Sequence, residues 1–180
     1  MSKLKKSPIS KVLRAISFAA KCHDGQLRKD GVTPYFSHPV RVMLILRHVF
    51  GVETEQALMA AVLHDVLEDT DADYDALREQ FGDDVARWVA ILSKDKRLSE
   101  QTREEKYLDQ FRGAPAELLL IKAADLYDNL LDVNPLRKET KKKLVKRATA
   151  FLKLFQRSRD LRVRKAVTLI KKSINSTQAF

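Results

Sequence analysis

The residues of this chain best suited to chemistry begin at His64-Asp65-Val66-Leu67-Glu68-Asp69-Thr70. There an imidazole and three carboxylates follow the apolar run Ala57–Leu63 with no turn residue between them. Read as one continuous helix, the four-residue spacing stacks His64 over Glu68 and Asp65 over Asp69 on adjoining strips of a single face. Like charges crowded beside an apolar run call for compensation. A divalent cation would provide it while keeping the imidazole neutral and the carboxylates ionised. The plain alternative is an amphipathic helix whose polar face meets water, and a His-Asp dipeptide alone does not choose between the two.

Two other segments bear on that choice. Tyr35-Phe36-Ser37-His38-Pro39 puts His38 where a helix begins, after a loop with two glycines. Taken singly, such a histidine is more often a cap or a surface residue. Leu118–Leu130 (LLLIKAADLYDNL) again runs from apolar residues into polar ones. In it Asp125 and Asn129 share a face at i, i+4, while Leu118, Ile121 and Leu126 face a core. An acid on a mostly buried helix is uncommon unless it is paired or bound to a metal.

The elements that must position these groups read as helical almost throughout, with apolar residues recurring at three- and four-residue steps. The pattern predicts helices over 9–23 (Ser10 as N-cap; Val12, Leu13, Ile16 and Ala19 on one stripe), 39–50 (ended by Gly51), and 54–69. A short helix follows, opened by Asp73 or Asp75 and closed at Phe81-Gly82. Further helices span 83–93, 100–111, 116–133 (stopped by Asn134-Pro135), 138–156 and 160–174, before a ragged STQAF end. No β-alternating run and no repeat stands out. The expected architecture is all-α, a single-domain helical bundle with a flexible N-terminus over 1–9, a main domain over 10–160 and a basic C-terminal helix and tail over 161–180.

Composition narrows the class. The chain has 180 residues, 44% hydrophobic and 32% charged, enough for one sizeable core in a soluble protein. Five glycines and five prolines are few for a turn-rich β fold. One cysteine, Cys22, allows no internal disulfide, which fits a reducing cytosol. The N-terminus has charge but no apolar h-region, and no stretch approaches the about 18 apolar residues of a membrane span. The overall charge of +10 is uneven: Arg137–Lys172 holds fifteen Lys/Arg against Glu139 and Asp160, a net +13, which leaves −3 for the rest. That third could attract a polyanion, nucleic acid or a highly phosphorylated nucleotide, or could be a solvated helix face.

Together, QLRKDGVTPYFSHP (26–39), AAVLHDVLEDT (60–70) and IKAADLYDNL (121–130) give the order H…HD…D. In this the chain resembles the HD-domain metal-dependent phosphohydrolases, and within them the small alarmone hydrolases, stand-alone homologues of the hydrolase domain of bifunctional alarmone enzymes. The likeness runs from about residue 10 to 160. It implies an HD-type bundle in which His38, His64, Asp65 and Asp125 hold one Mn²⁺, with Glu68 and Asp69 as the catalytic acidic pair acting on water. For Asp69, solvation of a helix C-terminus is the plain alternative. It implies that Arg28 and Lys29 lie against a nucleotide base, that Asn129 is near its ribose or base side, and that Lys96 and Lys122 contact phosphate, as Arg103 and Lys106 would less directly. Singly, each of those four cations reads as solvated surface.

The chain departs from the pattern at Leu126 and Asp128. Many relatives carry a basic residue just after the aspartate and a basic or aromatic one before the asparagine; Asp128 adds negative charge there and leaves the base or phosphate preference open.

The implied reaction is Mn²⁺-dependent removal of the 3′-pyrophosphate of ppGpp or pppGpp, giving GDP or GTP and pyrophosphate. No synthetase is expected. The adenine series (p)ppApp is the near variant. A general HD nucleotidase or NADPH phosphatase, releasing orthophosphate, is the rival enzyme. A nucleic-acid binder using Arg137–Lys172 is the rival from another class, one whose salt-sensitive binding would survive His64→Ala. A hyperphosphorylated purine nucleotide is the expected partner, with neither membrane nor nucleic acid; the oligomeric state is left open.

Overall fold

The computed structural model describes residues 8–133 and 135–178. Most of the expected N-terminal tail, the Asn134 half of the Asn-Pro stop and the last two residues of STQAF lie outside them. Among the described residues there are ten α-helices, one π-helical turn and no strand; Leu27 and Pro34 form an isolated antiparallel bridge.

Helix α1 (Pro8–Cys22) has a proline in its first turn, where the missing N–H costs nothing. It already includes Ser10, so Ser10 is not its N-cap. Val12, Ala15 and Ala19 form the buried stripe, and Leu13, expected on that stripe, is 54% exposed. Helix α2 (Ser37–Leu44) begins two residues before the expected start at Pro39, and then widens into a π turn over Ile45–Val49. The Phe50 N–H closes that turn on Ile45 O at 3.1 Å, and Gly51 leaves it at φ +70°. This is the left-handed conformation that glycine adopts without a Cβ clash.

Helix α3 (Glu55–Leu63) is the central rod: every residue from Ala57 to Leu63 is buried, as a helix apolar on all sides must be. It packs on α1, α2 and α6 (Asp83–Leu92). The helix expected to run on to Asp69 does not. It breaks at His64-Asp65, and a single turn, α4 (Val66–Asp69), starts again beyond.

Asp73 caps α5 (Tyr74–Phe81), accepting the Ala76 N–H at 2.8 Å, and Ser99 caps α7 (Glu100–Asp109). Helix α8 (Ala116–Leu131) crosses the middle and buries nearly everything from Leu118 to Leu126. It is flanked by α2, α3, α9 (Lys138–Phe155) and α10 (Leu161–Gln178). Helix α10 runs past the expected end at Ile174 and adds Val163, Ala166, Ile170 and Ile174 to the same hydrophobic core. No helix among the described residues is long and apolar enough to cross a membrane.

Candidate metal centre and nucleotide cleft

The break in α3 is what builds the site. Asp65 sits at φ −99°, ψ −3°, the sparsely populated region between helix and strand where many active-site residues lie. Its carbonyl accepts the N–H of Asp69 at 2.9 Å and of Glu68 at 3.2 Å, so the residue that ends one helix opens the next. The kink turns His64 and Asp65 toward α2 and α8 and re-aims Glu68 and Asp69. Asp65 and Asp69 nevertheless stay on one face, as expected: the Tyr35 hydroxyl lies 2.6 Å from Asp65 Oδ2 and 3.5 Å from Asp69 Oδ2.

His38, from the first turn of α2, and Asp125, from the middle of α8, meet this corner. His38 Nε2 lies 3.2 Å from Asp125 Oδ1 and 3.6 Å from Asp65 Oδ2. His64 Nε2 lies 3.0 Å from Asp65 Oδ2 and 3.9 Å from Asp125 Oδ1. Ligand atoms of His38, His64 and Asp65 all fall within 4.8 Å of one another. Both histidines turn Nδ1 outward, His64 to Ala61 O at 2.8 Å and His38 to an oxygen of Asp128 at 2.7 Å.

The electrostatics show what the group lacks. His64 Nε2 is buried and has no hydrogen-bond partner. Burial disfavours charge on His38, yet its hydrogen bonds to Asp125 and Asp128 and the nearby carboxylate charges carry its pKa up to about 9. His64 moves up for the same balance of reasons, chiefly against burial and through Asp65. Burial likewise opposes ionised Asp65 and Asp125, but His64 holds Asp65 below the usual carboxylate range, and Lys122 with the histidines does so for Asp125. The two acids thus draw positive charge onto imidazoles that burial would keep neutral. A divalent cation would meet that demand, and an imidazole and carboxylate donor set suits manganese, iron, cobalt or zinc.

Beside this corner opens a cleft of about 690 Å³. Glu68 lines it, with Oε2 accepting the Lys94 N–H at 2.9 Å. Burial pushes its carboxyl up, against the pull of Lys94. Asp69 also lines it and is held by Lys96 Nζ at 2.6 Å, while Gln26 Nε2 ties the Asp69 carbonyl to the 24–35 loop at 2.8 Å. That loop is pinned by Arg28 N–H to Thr33 O (2.7 Å) and Tyr35 N–H to Gln26 O (2.8 Å). Asp30 accepts the N–H groups of Val32 and Thr33 and the Thr33 hydroxyl, which hold its pKa at about 2.

Arg28 and Lys29 therefore sit at the cleft on a shaped loop, but Arg28 already binds Asp132 through Nη2 at 2.8 Å. Asn129 donates to Asp125 Oδ1 at 2.6 Å and so touches the metal corner as well as the cleft. Lys122 is only 5% exposed; its ammonium is taken by Asp125 Oδ2 at 2.6 Å and lies over the rings of Tyr107 and Phe151. Lys96 is on the exposed side of Asp69, and Lys94, not singled out from the sequence, lines the cleft with Arg147 and Lys143. Arg103 is half-buried and Lys106 exposed on α7.

Sequence reasoning also passed over Tyr35, whose hydroxyl donates to Asp65 Oδ2 at 2.6 Å. Its place in the PYFSHP block was a usable signal. Lys122-x-x-Asp125 was another, since an i, i+3 cation beside a buried acid is the obvious partner. For Arg147, paired with Glu104 at 2.7 Å from 43 positions away, there was none.

The family described as HD domain matches residues 15–160. The guanosine-3′,5′-bis(diphosphate) 3′-pyrophosphohydrolase MESH1 of Drosophila melanogaster is 39% identical over 127 residues, covering 70% of this chain and 71% of that protein. Its Homo sapiens counterpart is 39% identical over 129 residues, 71% of this chain and 72% of that one. A solved structure of a metazoan ortholog of SpoT that hydrolyses ppGpp shares the fold at a TM-score of 0.78, with 29% identity and 94% of both chains covered. The matched span contains all four residues of the histidine–aspartate corner and both acids beside it, and on this agreement of sequence, fold and site the chain belongs to the HD domain family, with MESH1 among its relatives.

Proposed function

We propose that this protein is an alarmone hydrolase that removes the 3′-pyrophosphate of ppGpp or pppGpp, working on one Mn²⁺ ion in the cytosol. The observation that carries the reading is the corner of His38, His64, Asp65 and Asp125, short of positive charge, at the end of a cleft walled by cations. Such a pairing suits a substrate bearing several phosphates, and relatives named for this reaction are 39% identical over about 70% of the chain.

Those four residues would hold a divalent cation, which would supply neutralisation of charge on the phosphoryl oxygens and would make a nearby water more acidic. Glu68 takes the proton from the attacking water, and its raised pKa brings it nearer the working pH of a general base. Asp69, fixed by Lys96 and Gln26, keeps that water in line. As the water oxygen bonds to phosphorus, the bond from phosphorus to the ribose 3′ oxygen breaks. The 3′ oxygen takes up a proton, and GDP or GTP leaves with pyrophosphate. Arg28 offers a guanidinium face to the purine, with Lys29 beside it, and Lys94, Lys143 and Arg147 balance phosphate charge. Residues 10–160 form the working unit, with α10 as its brace.

Product identification tests the reading. Protein supplied with Mn²⁺ should release pyrophosphate from ppGpp. Release of orthophosphate, or turnover of NADPH in preference to ppGpp, would install the general phosphatase instead. A parallel assay of ppApp sets the purine preference, and Arg28→Ala should weaken turnover of both series.

A further inference from the structure

Asp128, which the sequence marked only as surplus negative charge, lies one turn beyond Asp125 on α8 and is fully buried. Burying an ionised carboxylate is unfavourable unless its oxygens meet opposite charge. Three side chains supply it from two distant segments. His38 Nδ1 lies 2.7 Å from Oδ2, Arg41 Nε 2.7 Å from Oδ1, and Arg28 Nη2 3.7 Å from Oδ2. The Arg41 contact is an ion pair whose N–H is not aimed at the oxygen, so His38 makes the directed hydrogen bond.

A carboxylate between two guanidiniums accepts and does not donate. His38 must then keep a proton on Nδ1, so that in the neutral ring it is the Nε2 lone pair that faces Asp65 and Asp125. His64 reaches the same tautomer through a backbone carbonyl, a weaker anchor than a charged one. The same buried carboxylate also attracts Arg28, whose other partner, Asp132, stands four residues further on, at the C-cap of α8.

We propose that Asp128 is a positioning residue of the metal centre. It fixes His38 as an Nε2 donor and, through the same carboxylate, holds Arg28 against the cleft wall. This rests on the reading of the corner as a divalent-cation site.

Co²⁺ titration of the full chain, followed by visible absorption, tests both layers separately. Wild-type protein binds Co²⁺; absence of binding would overturn the cation site itself and this proposal with it. Asp128→Asn keeps the size and one acceptor but loses the charge, and should weaken Co²⁺ binding about tenfold, within the range typical of outer-shell partners. In the Zn²⁺-loaded protein its His38 Nδ1–H resonance should move upfield while that of His64 stays. Asp132→Asn, which touches Arg28 but not His38, should change neither reading by more than about twofold.

Asp128→Glu, keeping the charge but shifting it by one methylene, is the second variant should the amide not fold; it too must move the His38 resonance. Wild-type binding together with an unmoved His38 resonance, or an unchanged Co²⁺ affinity in Asp128→Asn, would overturn the proposal and leave the cation site standing.

Discussion

On the floor of the cleft, two histidines and two aspartates from separate segments stand at N···O separations of 3.0–3.9 Å, with one imidazole nitrogen unpartnered. On the wall three cations have already found an acid: Arg28 with Asp132 at 2.8 Å, Arg147 with Glu104 at 2.7 Å, Lys143 with Glu100 at 2.8 Å. The floor calls for an added positive charge, whereas these three wall cations are already paired and must exchange partners when an anion arrives. Loss of a floor residue should therefore be close to all-or-none, and loss of a wall residue graded and sensitive to salt.

The largest effect separates the two regions outright. His64→Ala or Asp125→Ala should abolish divalent-cation binding and lower pyrophosphate release by at least about 10³-fold, the loss expected when a metal's charge stabilisation goes. A floor variant that keeps even a tenth of wild-type turnover would erase the distinction. Glu68→Gln stands between the regions. It should lower kcat by about 10²–10³-fold while cation affinity, read by titration, stays near wild type. On the wall, Arg147→Ala should raise KM about tenfold with kcat changed less than about threefold, and its penalty should shrink at high ionic strength.

The wall should also tune Glu68. Burial raises the Glu68 pKa and Lys94 pulls it back, so removing that charge with Lys94→Gln lets burial act more freely. A general base at Glu68 would work as the carboxylate, so activity should be lost as pH falls through its raised pKa. The acid limb of kcat/KM should then lie above the ordinary glutamate range, and further above it in the variant. A limb that moves down, or not at all, breaks the link.

The smallest effect belongs to the loop carrying Arg28. Asp30 has a folded pKa of about 2, below its unfolded value, so its contribution is present at neutral pH and fades as pH falls toward 2. Asp30→Ala should melt slightly earlier at neutral pH and with a flatter acid dependence.

Much of this was legible from the sequence because three of the four floor residues stand where an apolar run gives way to polar groups. Ala57–Leu63 leads into His64, and Leu118–Ala124 leads past Lys122 into Asp125. The all-α reading followed from the same periodicity. The break at His64-Asp65 was not legible: Ala-Val-Leu-His-Asp-Val contains no glycine or proline, and its local preference favours one continuous helix. Tertiary packing overrides that preference to turn both side chains toward α2 and α8.

Asp128 was misjudged for a related reason. Its partners Arg28, His38 and Arg41 lie about 90 or more positions away, so a satisfied buried acid looked like stray charge. The basic C-terminal third divided in a way that no count of charges could show. Lys143 and Arg147 line the cleft, while Arg162 is spent on Asp160 and Glu117.

The most direct test of the account is metal add-back on one preparation. Protein is stripped with a chelator, then titrated with Mn²⁺ while pyrophosphate release from ppGpp is followed, with His64→Ala in parallel. The account predicts no release from stripped protein, recovery that saturates near one Mn²⁺ per chain, and no recovery in the variant. Full activity in the stripped protein, or equal recovery in His64→Ala, would contradict it.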